Sequence, residues 1–177
     1  VPRPELHNFR QPLGRGGQIH AVQANLRNAP SVDTAAQDAS VLVNLVGVLA
    51  EGGRQRFATV HTYGAEQVAL AASAHGARLV HVSAIGADDN SPASYARSKA
   101  AAERLVLAAQ PQAIIMRPSI VFGPEDGFFN RFASLARMSP VLPLIGGGEA
   151  RFQPVFGGHR AKAIADAVDG KLKGGTI

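Results

Sequence analysis

The sequence predicts an α/β protein built on a doubly wound parallel sheet, and three observations predict it. Short apolar runs recur along the chain, each hydrophobic throughout rather than alternating, as strands covered on both faces are. Longer stretches with helical spacing lie between them. The two kinds of segment alternate, which means right-handed strand–helix–strand crossovers. The 177 residues, 46 % apolar and 18 % charged, suffice for one core, so residues 1–177 read as a single domain.

The elements follow in order. Residues 19–22 read as a strand, and residues 31–38 as a helix that Ser31 can cap. Residues 41–48 read as a second strand, running through Asn44-Leu45-Val46-Gly47. A long helical stretch over 54–75 stops at Gly76, a residue suited to the left-handed turn after a helix. Residues 79–82 form a third strand that ends at Ser83. A helix over 94–109 and a strand over 113–116 follow, and the strand leads into Arg117-Pro118-Ser119-Ile120. Residues 128–136 read as a helix and 140–148 as a loop rich in Pro and Gly. Alanines on two helices, at 69, 71 and 72 and at 100 to 102, would let those helices sit close to the sheet. Gly174-Gly175-Thr176-Ile177 reads as the start of a further strand, and both ends of the sequence read as cut.

Composition removes several function classes. The sequence holds no cysteine, which excludes a disulfide framework, a thiolate metal site and a cysteine nucleophile. Its net charge is +5, but the basic residues are scattered. With no Trp and two Tyr, stacking platforms for bases are scarce, so nucleic acid is not the expected partner. No apolar stretch approaches the ~18 residues of a membrane span, and no signal peptide opens the sequence. Six histidines lie at 7, 20, 61, 75, 81 and 159, with no pair at ligand spacing on one helix, and no metal is expected.

In doubly wound sheets, ligands bind beyond the carboxyl ends of the strands. Ser83 stands at such an end, and Tyr95 and Lys99 follow on the next helix at i and i+4, sharing one face. An ammonium beside a phenol favours the phenolate, so a Tyr so placed is expected to exchange a proton with a substrate hydroxyl near neutral pH. The Lys can also hydrogen-bond a ribose, and the Ser can hold a substrate oxygen. Taken singly, each residue has a plainer reading: Ser83 as a strand-end turn, Lys99 as a solvated cation, Tyr95 as surface. Together they name Ser83, Tyr95 and Lys99 as candidate catalytic residues.

With these residues in view, the sequence resembles the short-chain dehydrogenase/reductases in their extended or atypical branch, a Rossmann-like family. It is most similar to the NAD(P)H-binding accessory subunits of respiratory complex I and their alphaproteobacterial relatives. The narrower likeness rests on Asn44-Leu45-Val46-Gly47-Val48-Leu49, His81-Val82-Ser83-Ala84-Ile85-Gly86-Ala87 and Ser94-Tyr95-Ala96-Arg97-Ser98-Lys99. It rests further on Arg117-Pro118-Ser119-Ile120-Val121-Phe122-Gly123-Pro124-Glu125-Asp126, Pro143-Leu144-Ile145-Gly146-Gly147-Gly148 and Arg151-Phe152-Gln153-Pro154-Val155.

The resemblance implies a bound NADPH or NADH, held rather than turned over. The subunit would be structural, with the core subunits of complex I as partners, on the cytoplasmic face of the bacterial inner membrane. It implies that Arg3 faces the 2′-phosphate and that Asn25 and Leu26 lie beside the adenine. Leu45, Val46 and Gly47 would line the cofactor, and Pro118, Ser119 and Ile120 would face the nicotinamide amide. Ser83, Tyr95 and Lys99 would complete the pocket, and residues 124–153 would belong to a small region facing substrate or partner. The alternatives are a free-standing NAD(P)-dependent reductase, dehydrogenase or nucleotide-sugar epimerase, and an NAD(P)H sensor without turnover.

Two features depart from the family. The first strand and its glycine-rich phosphate loop have no counterpart, since Gly14-Arg15-Gly16-Gly17 precedes an expected strand and reads as a turn. Gly157-Gly158-His159-Arg160 also stands where the family carries an acidic residue. Finally, Phe128, Phe129, Phe132 and Leu135 recur at helical spacing. They read first as a core stripe, and second as an amphipathic surface meeting lipid or a partner subunit.

Overall fold

The computed structural model describes residues 18–124, 126–138 and 152–177. Arg3, the turn at 14–17 and the loop at 140–148 lie outside them. Among the described residues, three parallel strands form the main sheet in the order β1-β2-β3: β1 (Val41–Asn44), β2 (Arg78–Val82) and β3 (Ile114–Met116). Consecutive parallel strands need a crossover. The first is a π-helical turn (Ala58–Tyr63) running into α2 (Gly64–Ala74), and the second is α3 (Ser94–Ala109). The α/β fold with parallel strands is therefore as the sequence predicts.

The details differ where local chemistry outweighs the hydrophobic pattern. Residues 19–22 lie in no described strand and alternate between exposed and half-buried. Apolar β-branched residues favour a strand, but a strand exists only by pairing. β1 stops at Asn44, four residues short of the expected end, because the Asn44 Oδ1 accepts the Val46 N–H at 3.1 Å. That bond turns the chain out of the ladder. The helix α1 (Ala29–Ala36) is capped by Asn28, not Ser31. The Asn28 Oδ1 accepts the Ser31 N–H at 3.3 Å, and Pro30 occupies the first turn, where a missing N–H costs nothing. Gly76 stops α2 as expected, with φ +65°.

Among the described residues the sheet is covered unequally. On one face Leu79 and Ile115 pack against Ala65, Ala69 and Ala72 of α2 and Ala102 and Val106 of α3. The alanines let both helices approach the strands closely. On the other face the core is small: Val80 and Ile114 meet Ala167 of α5 (Gly157–Val168). Arg78 holds α5 there, its guanidinium donating to the carbonyls of Val168 at 2.6 Å and Ala167 at 3.4 Å. These are carbonyls of the last helical turn, which lack partners within the helix.

A second, two-stranded parallel sheet joins β4 (Val121–Phe122) to β5 (Val155–Phe156), and α5 leaves directly from β5. Along the free side of β3, Ile115 donates to the Thr176 carbonyl at 2.9 Å and Gly175 donates to the Ala113 carbonyl at 3.2 Å. Residues 174–177, where a strand is expected, lie along β3 without being a strand themselves. The helix α4 (Phe129–Met138) has no buried residue. The core-stripe reading of its phenylalanines is wrong: Phe128 packs on Phe129, Phe132 and Phe152, and Phe129 on Phe122, as a surface aromatic cluster.

Candidate functional site

Alternation along β2 puts Leu79, His81 and Ser83 on the face that carries α2 and α3. Toward the carboxyl end of the sheet, that face turns from apolar to polar. All of the buried polar and charged side chains among the described residues gather there: Asn44, His61, His81, Ser83, Ser98, Lys99 and Glu103. Burial of so many polar groups in one place is costly unless each is partnered. Most are.

Lys99 is 4 % exposed, and its Nζ donates to the Val82 carbonyl at 3.2 Å. Burial holds its pKa below the ordinary lysine value, while Glu103 opposes that shift. Glu103 in turn accepts both arms of Arg117, at 2.9 and 2.5 Å. The two-point contact fixes the start of the loop after β3 against α3. Gly47 approaches closely: a Cβ there would stand 3.4 Å from the Lys99 Nζ and 3.6 Å from the His61 Nε2.

Ser83 continues the β2 ladder, donating its N–H to the Met116 carbonyl at 2.7 Å, and Ile85 donates to Pro118 at 3.1 Å. The segment from Ser83 to Ile85 therefore lies alongside the start of the Pro118-Ser119-Ile120 segment. Two buried side-chain atoms here have no protein partner among the described residues, the Ser83 Oγ and the His81 Nε2. Asn44 donates its Nδ2 to the His81 Nδ1 at 3.1 Å, so the Nε2 carries the proton and is a stranded donor. Burial and the Lys99 charge lower the His81 pKa to about 4, so the ring is neutral at pH 7.

Tyr95 stands in the first turn of α3 with its ring edge-on to His61 at 5.3 Å and Phe57 at 5.8 Å. Burial raises its pKa above 10. The i and i+4 spacing predicts the opposite, with Lys99 lowering the phenol. In the folded chain the Lys99 Nζ is bonded to the Val82 carbonyl, and burial is what sets the Tyr95 shift.

The remaining expected cofactor residues divide. Leu45 and Val46 are exposed at the carboxyl end of β1. Leu26 and Val46 line a cavity of about 170 Å³ shared with Val32, Leu42 and Val68. Asn25 is occupied locally: its N–H donates to the Ser31 Oγ and its Oδ1 accepts from the Arg27 N–H. Ser119 and Ile120 are half-buried, and the Ile120 carbonyl accepts the Val155 N–H at 2.9 Å.

His61 is the residue that sequence reasoning missed. Its Nε2 accepts the Val48 N–H at 2.9 Å and its Nδ1 faces the Ser98 Oγ at 2.9 Å. Nothing in a lone histidine on a helical run marks it, and only the unusual turn that carries it brings it inward. Among the described residues no three of His, Asp or Glu come together as a metal would require.

The architecture agrees with that of known proteins. Residues 10–147 match the model of the RmlD substrate binding domain. The chain belongs to the RmlD substrate binding domain family.

Curated relatives of this RmlD-type domain include an Arabidopsis thaliana mitochondrial NADH dehydrogenase [ubiquinone] 1 alpha subcomplex subunit 9. It is 38 % identical over 168 residues, which cover 93 % of this chain and 42 % of that protein. A ceramide reductase of Caulobacter vibrioides is 36 % identical over 145 residues, 82 % of this chain and 44 % of that protein. The domain thus spans less than half the length of these relatives. Homology to both is distant, and one is a complex I subunit while the other is a reductase.

Among solved structures, the fold is similar to a dTDP-4-dehydrorhamnose reductase from Clostridium acetobutylicum. The TM-score is 0.77 at 18 % identity, over 94 % of this chain and 67 % of that one. It is also similar to a dTDP-glucose 4,6-dehydratase from Streptomyces venezuelae with NAD bound. There the TM-score is 0.72 at 20 % identity, over 94 % of this chain and 59 % of that one.

Proposed function

We propose that this chain is the cofactor-binding part of an accessory subunit of NADH:ubiquinone oxidoreductase, holding NADPH or NADH rather than turning it over. The observation that carries the reading is a buried polar site at the carboxyl end of the sheet, ready to take a dinucleotide. The buried Ser83 Oγ and His81 Nε2, without protein partners among the described residues, the close approach at Gly47 and the buried cation of Lys99 fit a polar, anionic dinucleotide. Exposed Leu45 and Val46 beside them offer apolar cover. Solved relatives of the same fold hold NAD or NADP. Lys99 and Tyr95 would hold the ribose, Ser83 would take a polar group of the ligand, and Pro118, Ser119 and Ile120 would border the nicotinamide. Arg3 would meet a 2′-phosphate, and Asn25 and Leu26 would border the adenine.

The nicotinamide, when bound, supplies a hydride donor or acceptor. What the chain's own residues contribute is position: Tyr95 keeps its proton, and Lys99 keeps a buried charge beside the loop after β1. Residues 124–153 would form part of a small region facing the partner, with the cluster of Phe128, Phe129 and Phe132 touching a neighbouring subunit or the membrane surface. No described helix is long and apolar enough to cross a membrane.

The second reading is a free-standing NAD(P)-dependent reductase. It is favoured by the 36 % identity to ceramide reductase and by the presence of Ser83, Tyr95 and Lys99.

Affinity capture of the full-length protein from gently solubilised membranes, followed by mass spectrometry, separates the two. Core complex I subunits should come with it, together with stoichiometric NADPH or NADH. Recovery of the protein alone, with turnover that Tyr95→Phe abolishes, would replace the accessory reading with the enzymatic one.

A further inference from the structure

We infer that His61 is a positioning residue that ties the cofactor-lining loop after β1 to the first turn of α3, and so holds Gly47 beside Lys99. The inference rests on the cofactor reading for its consequence, but the tie itself is a matter of geometry.

A chain of hydrogen bonds in one direction carries it. The Val48 N–H can only donate, so at 2.9 Å the His61 Nε2 accepts. A neutral ring then has its proton on Nδ1, which donates to the Ser98 Oγ at 2.9 Å. The Ser98 hydroxyl is left with its own proton to give, and it donates to the Tyr95 carbonyl at 2.7 Å. Backbone of the loop, imidazole, hydroxyl and backbone of α3 are thus joined with every donor and acceptor in the sequence used once. The relay requires the neutral ring, because a second proton on Nε2 would expel the Val48 N–H. The ring also stacks on Phe57 at 5.1 Å and meets the edge of Tyr95, so its plane is fixed as well.

The local backbone explains why His61 reaches inward. It lies in a π-helical turn, where the Gly64 N–H reaches back five residues to the Thr59 carbonyl. One wide turn shifts the side chains that follow it around the helix axis, and such turns are often found at functional sites. The turn also needs Gly64, since a Cβ there would stand 2.9 Å from Leu26. Val48 follows Gly47, whose close approach to the Lys99 Nζ depends on where this loop is held.

The test uses the full-length protein and two readouts, hydrogen exchange of the Val48 amide and NADPH affinity by titration calorimetry. His61→Phe keeps the ring packing and removes both hydrogen bonds. It should expose the Val48 amide to exchange and weaken NADPH binding about tenfold. His61→Gln offers an acceptor near the Nε2 position and should restore amide protection, with affinity within about threefold of the parent. Ser98→Ala cuts the relay on the α3 side and should weaken binding less than His61→Phe.

A Val48 amide equally protected in His61→Phe would overturn the inference. So would exposure of that amide with unchanged affinity. A parent protein that binds neither NADPH nor NADH would instead sink the proposed function, and the amide readout would still decide whether His61 holds the loop.

Discussion

At Ser83 a hydroxyl is buried to 4 % exposure with no protein partner among the described residues. An unsatisfied buried group costs about 1–3 kcal/mol. Ser83→Ala is therefore expected to leave stability unchanged or raise it by up to about 1 kcal/mol, while weakening whatever the site holds. A urea melt checks this, and a loss of more than about 1 kcal/mol would show that the hydroxyl is satisfied in the free protein. Lys99→Ala has two opposite effects. It removes a buried cation that burial disfavours, and it leaves Glu103 with Arg117 alone. Cofactor retention should fall about tenfold or more, read as nucleotide content of the purified protein, and unchanged content would remove Lys99 from the site.

The histidines give a pH dependence with a definite sign. His61 and His81 titrate near 4 when folded, His61 through burial and then the Lys99 charge, against 6.5 ordinarily. Between those values the unfolded chain binds more protons, so stability is full above pH 6.5 and is lost as pH falls toward 4. From pH 7 to pH 5 the loss is about 2 kcal/mol for each histidine. Urea midpoints at pH 7, 6 and 5 should show that slope, and His61→Phe should remove about half of it.

At the scale of elements, the π-helical turn is the feature most exposed to a single substitution. Gly64→Ala puts a methyl 2.9 Å from the Leu26 Cβ and 3.3 Å from the Thr59 carbonyl. Such crowding costs about 1–3 kcal/mol, and Leu26→Ala in the same chain should recover part of it, as thermal melts of the single and double variants would show. The turn was not legible in the sequence. Residues 54–75 carry one continuous helical pattern, and nothing in Ala58-Thr59-Val60-His61-Thr62-Tyr63 announces an extra residue in the coil, because the signal is the closeness of Leu26 to Gly64, a tertiary contact.

What depends on near neighbours was legible. The helix over Ser94–Ala109, the stop at Gly76 and the strand ending at Ser83 all follow from local periodicity and backbone preference. The burial of Ser83 and Lys99 at the carboxyl end of β2 follows from strand alternation and helix spacing. Asn44 ending its own strand, Asn28 displacing Ser31 as the cap and α5 growing out of Gly157-Gly158 depend on specific hydrogen bonds or distant partners. Hydrophobic periodicity carries no trace of these. The Tyr95 expectation failed for the same reason: the i and i+4 spacing places Lys99 on the right face but cannot foresee the Val82 carbonyl that holds it.

At the scale of the whole molecule, the two sides of the sheet differ in depth among the described residues. One side holds the broad core of α2 and α3, and the other holds α5 on Val80, Ile114 and Ala167 with the Arg78 brace. Opening free energies should follow that difference. Amide exchange in α5 should be faster than in α3 by an order of magnitude or more, and Arg78→Ala should accelerate α5 alone. Equal protection in both helices would mean that they open as one unit.

The pairing of Ile115 and Ala113 with the segment at Gly175 and Thr176 also bears on how the molecule behaves in a crowded solution. A bare parallel edge with Ile114 and Ile115 at its centre would be a template for strands of neighbouring molecules. The backbone of Gly175 and Thr176 laid along it takes up the Ala113 carbonyl and the Ile115 N–H. Loss of this pairing would then leave β3 open to strands of neighbouring molecules and favour self-association.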